Sequence, residues 1–142
     1  MKNIYLLVSF VLVSTMTLKA QTKATAAADK LFKQYEYLDA SKEYLKLVGD
    51  GKKDNYIYNQ LAESYYNMFN SKEAIKWYAL AVTQPQDAEV YFKYAQMLKA
   101  AGKYEESNAQ MAVFASKSPN DLRAKSFKEN PNYIPKLLSK QK

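Results

Sequence analysis

The chain has neither cysteine nor histidine among its 142 residues, and only three glycines and four prolines. Each scarcity removes a class of chemistry. Without His or Cys there is no ordinary general base near neutral pH, no thiol nucleophile and none of the commonest zinc ligands. Three glycines do not build a phosphate-cradling loop of the Walker or dinucleotide type. The lack of cysteine also leaves the fold to stand on its hydrophobic core, with no disulfide to close a loop. These absences point away from an enzyme and from any cofactor or metal. The acidic pair Glu105-Glu106 reads as dipole-complementing acids at a helix start rather than as catalytic carboxylates.

A composition that is 48% hydrophobic and 25% charged is that of a globular chain of one domain. At the amino terminus, Lys2 precedes an uncharged run from Asn3 to Leu18, whose apolar centre is Ile4 to Val13, and Ala20 supplies a small residue before Gln21. This is the pattern of a secretory signal peptide over residues 1–20. The rival reading, an uncleaved anchor, needs about 20 apolar residues to cross the hydrocarbon core, and the uncharged run is shorter. No cysteine follows, which excludes a lipoprotein acylated at its new amino terminus. Removing residues 1–20 takes away Lys2 and Lys19 and no acid, leaving 19 basic and 14 acidic groups, a net charge of +5. The lysines alternate with acids, as in Lys42-Glu43 and Lys72-Glu73, and form no stripe, so nucleic acid is not the expected partner.

The most regular stretch runs from Asn55 to Gln86. Tyr58, Leu61, Ala62 and Tyr65 follow the i, i+3, i+4, i+7 spacing of one helical face, and Ala74, Tyr78, Ala81 and Val82 repeat it. Asn70, with Glu73 three residues on, suits the start of the second helix, and Pro85 stands at its close. Small Ala62 and Ala74 are placed where two helices cross closely, with Tyr65 and Tyr78 filling the space beside them. A shift of 34 residues back brings Ala62 onto Ala28, Ala74 onto Ala40 and Tyr78 onto Tyr44. A shift of 33 forward brings Ala62 onto Ala95, Tyr58 onto Tyr91 and Ala74 onto Ser107, with Pro119 ending the unit. Tyr37 and Leu47 fall on further packing positions. Gly49-Asp50-Gly51 provides a turn between the first two units, and Ala24, Ala27, Thr22 and Thr25 predict a weak, fraying first helix. After Pro119, Asn120 or Asp121 caps a last helix, with Leu122 and Phe127 as its apolar contacts and Pro131 as its stop.

The small, large and proline positions of Ala62, Tyr65, Ala74, Tyr78, Ala81 and Pro85 resemble the tetratricopeptide (TPR) hairpin, and Ala101-Gly102-Lys103-Tyr104-Glu105-Glu106-Ser107 resembles that family's inter-helix turn. The resemblance implies an all-α, right-handed helical-hairpin solenoid of about three repeats, near 21–54, 55–87 and 88–120, with a capping helix at 121–130 and a basic tail or linker at 131–142. Signal peptide, tyrosine-rich repeats and a basic, proline-containing exit are similar to the front end of OmpA-family envelope proteins of gliding, type IX secreting bacteria. In those proteins a propeller-like and an OmpA-like peptidoglycan-binding domain come next; neither lies within these 142 residues, which leaves a stand-alone relative or a truncated copy as readings.

Thirteen tyrosines invite a glycan-binding reading, but Tyr44, Tyr58, Tyr65, Tyr78, Tyr91 and Tyr104 sit at helix-packing positions. The opposite face of the first helix in each hairpin carries Tyr56, Asn59, Glu63 and Tyr66 in the second repeat and Phe92, Gln96 and Lys99 in the third. In TPR proteins that face lines the concave groove that holds peptides, and these seven are the candidate site residues. The places used by one TPR groove to clamp a terminal carboxylate carry Thr25 and Asp29 here, and an acid there repels such a ligand. The expectation is an exported interaction scaffold that binds a protein or peptide partner in the periplasm or at the periplasmic face of the outer membrane, with outer-membrane association through that partner. A carbohydrate- or peptidoglycan-associated module is the rival. Mass spectrometry of the protein from its own cells should show a mature amino terminus at or near Gln21; an intact Met1 overturns the export reading.

Overall fold

The computed structural model describes residues 23–131, so the expected signal peptide and most of the basic tail lie outside the described residues. Seven helices and no strand are found among the described residues: α1 (23–33), α2 (Tyr37–Gly49), α3 (Asn55–Asn67), α4 (Ser71–Ala81), α5 (Ala88–Ala100), α6 (Tyr104–Lys117) and α7 (Leu122–Glu129). None of these helices is long and apolar enough to cross a membrane. The closest pairs are α5 with α6 and α3 with α4, followed by α2 with α3, α4 with α5 and α6 with α7. Sequential neighbours therefore pack as antiparallel hairpins stacked in chain order, the arrangement of a helical-hairpin solenoid.

Small residues set the crossings. Ala28, Ala62 and Ala95 on the first helices and Ala40, Ala74 and Ser107 on the second are all buried. In the third hairpin the crossing can be located directly, because the Ser107 hydroxyl donates to the Ala95 carbonyl at 2.8 Å. A side chain of α6 thus lies on the backbone of α5, which a longer side chain at either position would prevent. Around this small layer, Tyr44, Ile57, Leu61, Trp77, Tyr78, Val90, Tyr94, Met97 and Leu98 build one core, and Tyr91, Met111, Phe114, Ala115 and Ala124 a second toward the carboxy-terminal end. Tyr58 stacks on Trp77 with centroids 5.9 Å apart, and Tyr78 on Tyr94 at 5.6 Å.

The helix ends follow local chemistry. Asp54 accepts from the Ile57 N–H, Asn70 from the Glu73 N–H and Asp121 from the Arg123 N–H, each satisfying a donor that the first turn leaves free. The first three inter-helix turns of the hairpins share one geometry: a residue with positive φ follows the helix, and the next N–H bonds five residues back, as in Lys103 to Leu98 and Asn70 to Tyr65. Gly102 fills that place with φ 75°, whereas the matching residues in the first two hairpins are Tyr35 at 64° and Phe69 at 55°. A bulky residue there adopts a strained conformation, and both rings are largely exposed, at 78% and 87%.

Four local expectations are corrected. Helix α1 is regular through residues 23–33 despite its weak propensity, because Ala28 is buried against the core and Thr25 and Asp29 are tied together by a hydrogen bond. Leu122 does not pack: it is 79% exposed at the first position of α7, and the helix is turned so that Ala124 and Phe127, three apart, face α5 and α6 instead. Tyr104 is only half buried and lines a cavity rather than the core. Pro85 stands beyond the end of α4, which stops at Ala81 and is followed by a turn through Val82 to Gln84.

Because α3 and α4 cross at small residues, Ala62→Leu should overpack that contact and lower stability by about 1–3 kcal/mol. Chemical denaturation measures this, and a midpoint equal to that of the unchanged protein means that Ala62 is not at the crossing.

Candidate binding groove

The inner face of the stack is built from the first helix of each hairpin, and its polar groups are organised by the repeat. In the first hairpin the Asp29 carboxylate accepts hydrogen bonds from the Tyr44 hydroxyl, from the Thr25 hydroxyl at 2.7 Å and from the Tyr56 hydroxyl at 2.8 Å. Tyr44 in turn accepts from the Gln60 amide at 3.1 Å. In the second hairpin, 34 residues on, Glu63 stands at the place of Asp29 and Tyr78 at that of Tyr44. The Tyr78 hydroxyl donates to Glu63 at 2.7 Å, and the Lys93 ammonium of the next hairpin donates to the other carboxylate oxygen. Lys93 also lies over the Tyr66 ring, 5.3 Å from its centroid. An acid on the groove floor is thus held each time by a core tyrosine reaching through from the second helix.

In the third hairpin this device is absent. Gln96 replaces the acid and Met111 replaces the tyrosine, and neither Gln96 nor Lys99 has a partner among the described residues. A cavity of about 420 Å³ opens here between α5, α6 and α7, with Phe92, Gln96, Lys99, Met111 and Phe127 in its walls. At its edge Arg123 of α7 pairs with Glu89 of α5 at 2.9 and 3.1 Å and with Asp121 at 2.9 Å. Its guanidinium stacks on Phe92 at 4.1 Å and on Phe114 at 4.9 Å from the ring centroids. The Asp121 hydrogen bonds, then those to Glu89, raise the pKa of Arg123, so the charge on α7 is permanent.

The seven candidate residues separate into three groups. Phe92, Gln96 and Lys99 are brought together in the cavity. Glu63 and Tyr66 are joined by Lys93, but Glu63 is buried with both oxygens taken, so it shapes the floor and offers no free carboxylate. Tyr56 is exposed on its own, and its hydroxyl is committed to Asp29. Asn59 is half buried between these sets, and its side-chain carbonyl oxygen has no hydrogen-bond partner. Lys93, Arg123 and Met111 were not singled out from the sequence, and Phe127 was read only as an apolar contact of the last helix. Spacing holds a signal for two of them, since Arg123 lies 34 residues from Glu89 and Lys93 lies 30 from Glu63.

Burial, and after it the Asp29 hydrogen bond, raises the pKa of Tyr44; burial, and after it the Glu63 carboxylate, raises that of Tyr78. Both hydroxyls therefore keep their protons well above the unfolded tyrosine value of about 10. The folded state then binds more protons than the unfolded state at high pH. The stability contributed by these groups is complete below about pH 10 and is lost as pH rises from there toward the folded values. Spectrophotometric titration should show tyrosinate from Tyr44 and Tyr78 appearing only with loss of helical signal, and the Tyr44→Phe, Tyr78→Phe double variant should lose less stability between neutral and strongly alkaline pH than the unchanged chain.

No family model and no curated protein matches the chain. Solved structures do. The second TPR domain of human RPAP3, solved with an HSP70 peptide, superposes with a TM-score of 0.65 at 15% identity, over 76% of this chain and 92% of that one. The C-terminal part of a TPR repeat-containing protein of Cytophaga hutchinsonii gives 0.65 at 22% identity, over 78% of this chain and 46% of that one. The type III secretion chaperone SycD of Yersinia enterocolitica, in complex with a peptide of the translocator YopD, gives 0.61 at 20% identity, over 85% and 91%. The inner helices, the small-residue crossings and these superpositions agree: the chain has the all-α, helical-hairpin solenoid fold of TPR domains.

Proposed function

We propose that the chain is a protein-interaction scaffold that holds an extended peptide segment of a partner along the face formed by α1, α3, α5 and α7. The observation that carries this reading is the uncommitted end of that face. The floor acids of the first two hairpins are consumed by internal hydrogen bonds, while Gln96, Lys99 and the half-buried Phe92 ring surround an open cavity of about 420 Å³. Apolar walls with a few free polar groups are what a peptide side chain and its flanking amides need. The RPAP3 and SycD structures, in which peptides are bound to domains of this fold, support the same use. The cation at Lys99, unpaired among the described residues, favours an acidic or neutral segment at this end, whereas the charge of Arg123 is already met by Glu89 and Asp121. The leader pattern at residues 1–20 supports a scaffold exported to the periplasm or the periplasmic face of an outer membrane, and we extend the reading to the assembly of an outer-membrane or secretion complex there. The peptide reading is preferred to the carbohydrate one because Tyr44, Tyr78, Tyr91 and Tyr94 are core and the Tyr56 hydroxyl is occupied, which leaves Tyr35 as the most exposed ring among the described tyrosines.

Phe92 carries the Arg123 stack as well as the cavity wall, so truncating it would mix folding with binding. Gln96→Ala with Lys99→Glu is the cleaner change. It should leave the melting curve nearly unchanged and weaken capture of the envelope partner by about thirtyfold or more, the effect of losing about 2 kcal/mol at an interface centre. Lys76→Ala on the outer helix α4 should leave capture intact. Equal capture by the groove variant and the unchanged protein rejects the concave face as the binding surface.

A further inference from the structure

The cavity at the end of the groove is bounded by Asn130 and Pro131, the last described residues, as well as by α5, α6 and α7. The chain therefore leaves the domain from the cavity wall itself. The next residues are Asn132-Tyr133-Ile134-Pro135-Lys136-Leu137-Leu138, a short apolar sequence in an otherwise lysine-rich and acid-free tail. Tyr133 is two residues beyond Pro131, and two extended residues span at most about 7 Å, so its ring starts within reach of the opening. Pro135 biases Ile134 toward extended backbone, and in an extended segment Tyr133, Pro135 and Leu137 share one side. The cavity meets such a segment with apolar surface from Phe92, Met111 and Phe127 and with uncommitted polar groups from Gln96 and Ser126.

We propose that this cavity is the docking site of the chain's own residues 132–138, with the Tyr133 ring seated against Met111 and Phe127 and Leu137 continuing along the groove toward Phe92. Tethering favours this occupant over a free one. A segment joined to the wall by one or two residues is present at an effective concentration of about millimolar or more, so contacts too weak to hold a separate peptide suffice for it. Seating Tyr133 and Leu137 in the cavity also removes their apolar surface from water. Docked in this way, the tail fills the carboxy-terminal end of the groove, and a partner peptide has to displace it or end beside it. That regulatory consequence rests on the partner reading above; the docking does not.

The test uses the full mature chain without any partner, so its outcome is independent of the partner hypothesis. Methyl-labelled methionine gives a resonance for Met111, and the expected result is a nuclear Overhauser contact from that methyl to the Tyr133 ring. Tyr133→Ser should abolish the contact and displace the Met111 methyl resonance through the lost ring current, with the helical signal unchanged. Leu137→Ser should weaken the contact, a response expected if the whole segment docks. Tyr133 ring resonances at random-coil positions, with a Met111 methyl that does not move in Tyr133→Ser, overturn the proposal. A contact that survives only between differently labelled chains in an isotope-filtered mixture overturns it in favour of a second copy as the occupant.

Discussion

Two helices approach closely only where neither carries a side chain that would hold them apart, and that constraint organises this molecule. Ala28, Ala62 and Ala95 meet a second small layer of Ala40, Ala74 and Ser107, and all six are buried. The Ser107 hydroxyl rests on the Ala95 carbonyl, so at this crossing a side chain of one helix touches the backbone of the other. Once these crossings are fixed, the large rings have defined places. Tyr58 stacks on Trp77, Tyr78 on Tyr94 across to the next hairpin, and Phe114 closes the far end against Phe92. Each hairpin alone would leave such rings half exposed, and stacking the next hairpin covers them. Stability is consequently shared among neighbours rather than held within any unit.

A solenoid built on tyrosine must also satisfy buried hydroxyls, since an unpaired one costs about 1–3 kcal/mol. Here the hydroxyl of the second helix is aimed through the hairpin at an acid on the first, Tyr44 at Asp29 and Tyr78 at Glu63. The acid gains a donor and the tyrosine an acceptor, and burial of both keeps the phenol protonated. Lys93 completes the second site from the following hairpin, which makes the arrangement a bond between repeats as well as within one. Arg123 serves the end of the stack similarly, linking α7 to α5 through Glu89 while covering two phenylalanine rings.

How far the sequence discloses this depends on what each feature is made of. The hairpins were legible because small and large residues recur at a period of 33–34, and the matching alanines are all buried. The division of faces was legible for the same reason, and it led to Phe92, Gln96 and Lys99, which do share a cavity. The role of Glu63 was not legible from its helix alone. On a helical wheel it faces the groove, but its state is decided by Tyr78 and Lys93, which come from two other helices. Leu122 shows the converse: an apolar residue at the start of a short helix has no periodic company to fix its direction, and the fit of Ala124 and Phe127 turns it outward. The break before Asn70 was legible from its capping chemistry, but the positive φ of Tyr35 and Phe69 was hidden, because glycine is the usual sign of it and neither position has one.

What distinguishes the third hairpin is a loss of repetition. Replacing the acid by Gln96 and the tyrosine by Met111 removes a charge, a hydrogen bond and a rigid ring from one place at once. Such a change in the interior of a stack would leave a hole between two hairpins, whereas next to the short α7 it leaves a cavity that opens to the groove. Lys93 shows why the position matters. It reaches back to Glu63 from α5, but no floor acid awaits a corresponding cation from α7, so Arg123 turns instead to Glu89 and Asp121 at the rim. The polar capacity spent internally in the first two hairpins is in the third left to Gln96 and Lys99, facing space. A binding surface arises here from the point at which the repeat stops satisfying itself.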